Sequence, residues 1–252
     1  MYGIILLYCM LIIGVAYYVG RHETDGDFLI AGRNRGLFQI FSSKLAANIS
    51  AGWLLSFTAF GFAYGFNMLY GLIGYMLGYI LFAWLAVPRI WKWGRETSAI
   101  SMTELIQYRT QSKLSAELIR YITVFVHGLS LLIAFVGGGK VLYSLGFPGG
   151  YEGGLVLIGG FTLIYLFLSG FKGVVLTDII QAGLILIFAG VICFFARQTD
   201  IYTLALQQES TTLDFALIFG FAIYGIAFVA SADRYQLIFS SKKAHYAQWG
   251  LG

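Results

Sequence analysis

Seven stretches of roughly 18 or more mostly apolar residues run through this chain of 252, each close to the ~20 residues that cross a hydrocarbon core about 30 Å thick. They lie at about Tyr2–Val19, Gly36–Phe66, Asn67–Pro88, Ile119–Leu145, Gly153–Phe171, Gly173–Ala196 and Leu213–Ala232. In lipid the backbone has to satisfy its own polar groups, and strand alternation is nowhere sustained, so the pattern specifies an all-α integral membrane protein in one transmembrane domain, 1–252. With 59% of its residues hydrophobic and 11% charged, the chain cannot clothe a soluble globule, which excludes a soluble enzyme on one anchor. Glycine is plentiful and proline nearly absent, as in helices that pack through small residues, and Gly74-x-x-x-Gly78 reads as one such face. Tyr2–Val19 has no Lys or Arg before it and no A-x-A-like site after it, so it reads as a retained helix. Cys9 and Cys193 fall inside apolar stretches and act as small hydrophobes.

The placement of the basic residues sets the orientation. Arg21, Arg33, Arg35, Arg89, Lys92, Arg95, Arg109, Lys113, Arg120, Lys172, Arg234, Lys242 and Lys243 fall on one side, Arg197 alone on the other, and Lys44 and Lys140 within spans. The positive-inside rule then puts the N-terminus outside and the C-terminus in the cytoplasm of a multi-pass cell-membrane protein. The connection Lys92 to Leu118 should hold a short surface helix begun by Ser101 with Glu104 three residues on, and Gly146 to Gly150 is turn chemistry. No basic run or RNA-binding motif is present, so the net charge of +4 implies no nucleic-acid partner. His22, His127 and His245 have no metal-ligand spacing. The absence of a nucleophile motif or paired intramembrane carboxylates argues against an enzyme.

The second apolar stretch, about 31 residues, would be roughly 46 Å as one straight helix. It has to tilt, protrude or break. Its middle, Ala46-Ala47-Asn48-Ile49-Ser50-Ala51-Gly52-Trp53, is small and polar between apolar flanks. Two readings stand: an unwound centre whose carbonyls, with Asn48 and Ser50, hold a cation or solute, or small residues that let neighbouring helices approach.

The residues DFLIAGR (Asp27–Arg33) followed by SSKLAANISAGW (Ser42–Trp53) resemble the N-terminal signature of the sodium/solute symporter family. SGFKGVVLTDIIQ (Ser169–Gln181) is similar to the family's glycine-rich turn and T-D-x-x-Q helix start, and Gln236 with SSKKAHYAQWG (Ser240–Gly250) to its Q-R-x-x-A-A-K segment, with Leu237 in place of the family's Arg. The resemblance implies a LeuT-like core of two inverted five-helix repeats: Tyr2–Val19 an extra N-terminal helix, 36–197 the first repeat, 213–252 the start of the second, and the C-terminal half missing. It implies sodium as coupling ion, no organic cofactor, and a small-molecule solute moved by alternating access. Sodium would be held by the carbonyls of Ala46 and Ile49, with Asp178 as an acidic stop on the exit path. On residue spacing alone Asp178, three before Gln181, reads first as a solvated helix-start carboxylate favoured by the N-terminal dipole, and the T-D-x-x-Q resemblance reverses that order.

Solute contacts are expected from Asn48, Ser50, Ala51, Gly52 and Trp53, faced by Tyr224 and Phe228. Gly52-Trp53 stands where sugar-carrying relatives have Glu-Gln, so an amino-acid-like solute, proline among them, is favoured over a sugar. Lys44 is expected to reach the cytoplasmic interface or to pair with Asp178. The alternative from another class is a symporter-like sensory input domain of a membrane signalling kinase. Oligomeric state is not legible.

Overall fold

A computed structural model describes residues 2–21, 25–197 and 214–252, and among them the only non-helical pairing is an isolated bridge between Arg35 and Ser241. In chain order the helices are α1 (Tyr2–Gly20), α2 (Asp25–Ile30), α3 (Leu37–Asn48), α4 (Ala51–Tyr64), α5 (Met68–Leu85), α6 (Val87–Glu96), α7 (Met102–Thr110), α8 (Lys113–Ser144), α9 (Gly150–Arg197), α10 (Phe215–Val229), α11 (Ala232–Ser240) and α12 (Ala244–Leu251). His22 and Leu213, the latter the expected start of the seventh span, lie outside the described residues. The protein is an all-α, multi-pass membrane protein. Side chains such as Phe62, 92% exposed, and Phe167, 77% exposed, line an apolar outer surface that only a bilayer or further helices can cover.

Four helices, α1, α5, α8 and α9, are long and apolar enough to cross a membrane alone, and two bent pairs, α3 with α4 and α10 with α11, bring the number up to six when each pair is taken as one crossing. The seventh comes from α9. At 48 residues a straight α9 would span roughly 72 Å, more than twice the hydrocarbon thickness. It breaks at Gly170, φ 51° and ψ −156°. The Tyr8 ring of α1 sits 6.3 Å from that of Phe161 and its hydroxyl reaches Gln181, residues that a straight helix would hold about 30 Å apart. The two halves are therefore antiparallel. The turn, expected at Lys172, falls two residues earlier because glycine alone adopts this backbone readily, and a Cβ on Gly170 would stand 2.4 Å from the Phe28 ring.

Other boundaries move for equally local reasons. The expected span to Pro88 divides: α5 ends at Leu85, and α6 starts at Val87 with Pro88 in its first turn. The fourth span begins at Lys113, where Ser112 Oγ accepts the Ser115 amide at 3.2 Å. α7 starts as its capping pair implies, with Ser101 Oγ accepting the Glu104 amide and Glu104 accepting the Ile100 amide. The seventh span is no single helix to Ala232: it bends by 57° between Val229 and Ala232.

α5 and α10 make the closest helix pair. A Cβ on Gly74 would lie 2.1 Å from the Ile218 carbonyl oxygen, on Gly78 2.1 Å from that of Ala222, and on Gly225 2.4 Å from that of Tyr75. Only hydrogen at these positions lets the backbones meet.

The basic end of the bundle is a folded platform of α6, α11, α12 and residues 30–36. Ile40, Val87, Ile90, Val175, Leu237, Ile238, Phe239 and Leu251 form its buried core. Arg33 donates to the carbonyls of Gly94 and Ala99, Arg95 to those of Arg33 and Ser241, and Trp91 Nε1 to Ser241. Burial, then the neighbouring Arg95 charge, lowers the Arg33 pKa, yet a guanidinium stays protonated throughout the physiological range.

Candidate functional site

The first break is written in its residues. Asn48 and Ser50 offer side-chain partners that compete with the helical ladder, and Ile49 (φ −91°, ψ 73°) and Ser50 (φ −91°, ψ 164°) leave helical geometry. On the α3 side the ladder ends with the Ile49 amide on the Leu45 carbonyl. The amide of Trp53, which a continuous helix would give to the Ile49 carbonyl, goes to Ser50 Oγ at 3.2 Å. No backbone bond from Ser50 to the Ala46 carbonyl is formed either. The carbonyls of Ala46 and Ile49 are thus left without their i+4 donors, and α4 departs from α3 at 61°.

The second break repeats the device. After Val229 the chain reads Ala230-Ser231-Ala232-Asp233, again small and polar, and Ser231 is extended (φ −77°, ψ 156°). Its single Oγ proton is within reach of two acceptors, the Phe228 carbonyl and the Asp233 carboxylate.

The two breaks meet. Arg234, on the first turn of α11 and 1% exposed, donates from Nη2 to Asn48 Oδ1, which also accepts from Tyr79 Oη at 3.2 Å. Arg234 Nη1 stands 3.2 Å from Asp233 Oδ2 but makes no hydrogen bond, and Nε has no acceptor. Its guanidinium lies 5.4 Å from the Phe228 ring centroid. Asp233 continues outward to His127 of α8, Nε2 to Oδ1 3.6 Å, and His127 Nδ1 lies 2.9 Å from the Thr123 carbonyl. Lys44 Nζ sits 4.6 Å over the Tyr79 ring; among the described residues it forms no salt bridge with Asp178.

Around this junction Tyr75, Tyr79, Tyr224 and Phe228 form an aromatic wall, Tyr75 lying 5.0 Å from Tyr79 and 5.8 Å from Tyr224. The buried Tyr75 hydroxyl has no hydrogen-bond partner, and neither has buried Trp53 Nε1. Asn48, Tyr224 and Phe228 thus come together. Trp53 joins them only through Phe57, stacked on it at 4.1 Å and 6.5 Å from Tyr75. Gly52 faces α8, where a Cβ would meet Ile133 at 2.6 Å, and the Ser50 hydroxyl is occupied as the cap of α4. The side chain of Ala51 lies outside the described residues.

Asp178, on the second half of α9, faces Ser43 of α3, one turn before Ala46; Ser43 Oγ itself is buried and makes no hydrogen bond. No group of three or more His, Cys, Asp or Glu among the described residues gathers to hold a metal, so hard oxygen ligands here mean carbonyls, hydroxyls and single carboxylates.

Arg234 is the main residue that sequence reasoning misplaced. Counted as a loop cation after the seventh span, it is instead enclosed at the junction. The small polar run Ala230–Asp233, so like Ala46–Gly52, was the available signal.

The sodium:solute symporter family model matches residues 28–212. The chain belongs to the sodium:solute symporter family. Such proteins are transporters and not enzymes. Among this chain's relatives, the sodium/pantothenate symporter of Haemophilus influenzae is 28% identical over 209 residues, which cover 75% of this chain and 40% of that protein. The sodium/pantothenate symporter of Escherichia coli is 26% identical over 212 residues, covering 75% and 39%. The chain thus spans about two fifths of the length of these relatives.

Proposed function

We propose that the protein carrying this chain performs sodium-coupled secondary active transport of a small organic solute, held where the two broken helices meet. The observation that carries the reading is the junction itself: two interrupted spans, carbonyls at Ala46 and Ile49 without their i+4 donors, and orphaned donors on Tyr75, Trp53 and Arg234. Irregular backbone at bilayer depth is tolerated where it lines a cavity, and in transporters such half-helix ends hold the solute and its coupling ion.

In this reading Ala46 and Ile49 supply sodium carbonyls, with Asp178 one turn away toward the platform. Asn48, Ser50, Ala51, Gly52, Trp53, Tyr224 and Phe228 line the solute side. Residues 36–197 form the first repeat and 213–252 open the second. The N-terminus is outside and the platform cytoplasmic. Pantothenate, for which both relatives are named, joins an amino-acid-like solute such as proline as candidate cargo ahead of a sugar.

The test is uptake of labelled pantothenate, proline and glucose by the full-length protein in proteoliposomes under an inward sodium gradient. Uptake of one of the first two should require sodium. Ala46→Pro should abolish it, because the ring fixes φ and removes the amide that holds the last turn of α3. Uptake driven equally by potassium would remove the sodium reading.

A further inference from the structure

We propose that Arg234 recognises the transported solute by its carboxylate, making the cargo of this symporter an organic anion. The inference rests on the transport reading above and adds the chemical class and the residue that selects it.

A guanidinium withdrawn from water needs compensation for its charge and an acceptor for each proton. Arg234 has neither in full. Its clear hydrogen bond goes to a neutral amide, Asn48 Oδ1. Its counter-ion Asp233 is at an angle that makes no bond and is shared with Ser231 and His127. Nε is buried with nothing to donate to. A guanidinium held this way is prepared for a planar two-oxygen acceptor.

The surrounding elements favour the same sign of ligand. α4 and α11 both begin at the junction, so the positive ends of two half-helices converge on it. Lys44, Asp233 and Asp178 lie within electrostatic reach of Arg234, and His127 stands 3.6 Å from Asp233. With His127 neutral, the formal charges of the two cations and two carboxylates cancel. One sodium ion on the Ala46 and Ile49 carbonyls would add a positive charge, and one monovalent carboxylate on Arg234 would remove it. Cargo and coupling ion then stabilise each other, which is a physical basis for binding them together. A neutral polyol gains nothing from either charge.

The experiment compares pantothenate with pantothenol, the same skeleton with a hydroxymethyl group in place of the carboxylate. Full-length wild type, Arg234→Gln and Arg234→Lys are measured for sodium-driven uptake in proteoliposomes and for binding by calorimetry in detergent. Wild type should prefer the acid by about 100-fold, Arg234→Lys should keep about a tenth of that preference, and Arg234→Gln should bring the two compounds within about 3-fold by weakening the acid alone. Retained preference in Arg234→Gln overturns the proposal. So does an equal loss of both compounds, which would mean that Arg234 only props the junction or pairs with another part of the full-length chain. Failure of wild type to bind either compound also overturns it. Acid-selective binding without sodium-driven uptake would uphold the Arg234 assignment and refute the transport reading, so the two fail separately.

Discussion

Asn48 is the atom-scale fastening between two spans nearly two hundred residues apart, since its single Oδ1 accepts from both Arg234 and Tyr79. Asn48→Leu strands a buried cation and should cost about 3–5 kcal/mol. Tyr79→Phe removes one neutral bond and should cost about 1 kcal/mol. Thermal midpoints of the purified full-length variants should fall in that order, and equal midpoints would show that Arg234 finds another acceptor. Asn48 was legible as a polar residue in a small-residue patch. Arg234 was not, because a cation after an apolar run looks like a loop cation unless its acceptor is known, and that acceptor lies far away in sequence. The wall of Tyr75 and Tyr79 was hidden for a related reason: aromatic residues in a uniformly apolar helix carry no mark of the side they face.

At the scale of the helix, each bend has an extended serine where the helix restarts, but only Ser50 caps the new helix through its side chain. Ser50 Oγ holds the Trp53 amide, so Ser50→Ala should lower stability by about 1 kcal/mol and Ser50→Gly by only a few tenths. Hydrogen exchange at the Trp53 amide reads this directly, and unchanged protection in Ser50→Ala would show that the cap contributes nothing. The hydroxyl is thus first a structural group, which dilutes the simple expectation that Ser50 acts on solute. The first bend was legible because its span was too long for the bilayer. The second lay in a stretch of ordinary length, so length gave no warning and only composition did. The Gly74 and Gly78 face was legible from spacing alone, and its partner α10 was not, because spacing identifies a close approach without naming what approaches.

For the whole molecule, the multi-pass helical character and the basic end follow from hydropathy and charge placement, whereas the pairing of the two bends depends on contacts that no local pattern encodes. α8, 32 residues and roughly 48 Å long, puts Gln111 and Gly149 at opposite ends. With the platform in the cytoplasm, a cysteine at Gly149 should react with an impermeant maleimide added outside, and one at Gln111 only after permeabilisation, in a background without Cys9 and Cys193. The reverse labelling would invert the assigned topology. The platform also has a mechanical role. It grips α3 through Ile40 against Gly250 and contains α11, whose Phe239 packs against Gly94 of α6, while the Arg35–Ser241 bridge pins the neighbouring segments of chain together. The other two half-helices are held elsewhere, α4 on α8 and α10 on α5. Two hinges therefore share one bearing: when it swings, both bends flex in a single stroke, and whatever is held beside the Asn48–Arg234 contact is released or enclosed from two sides at once.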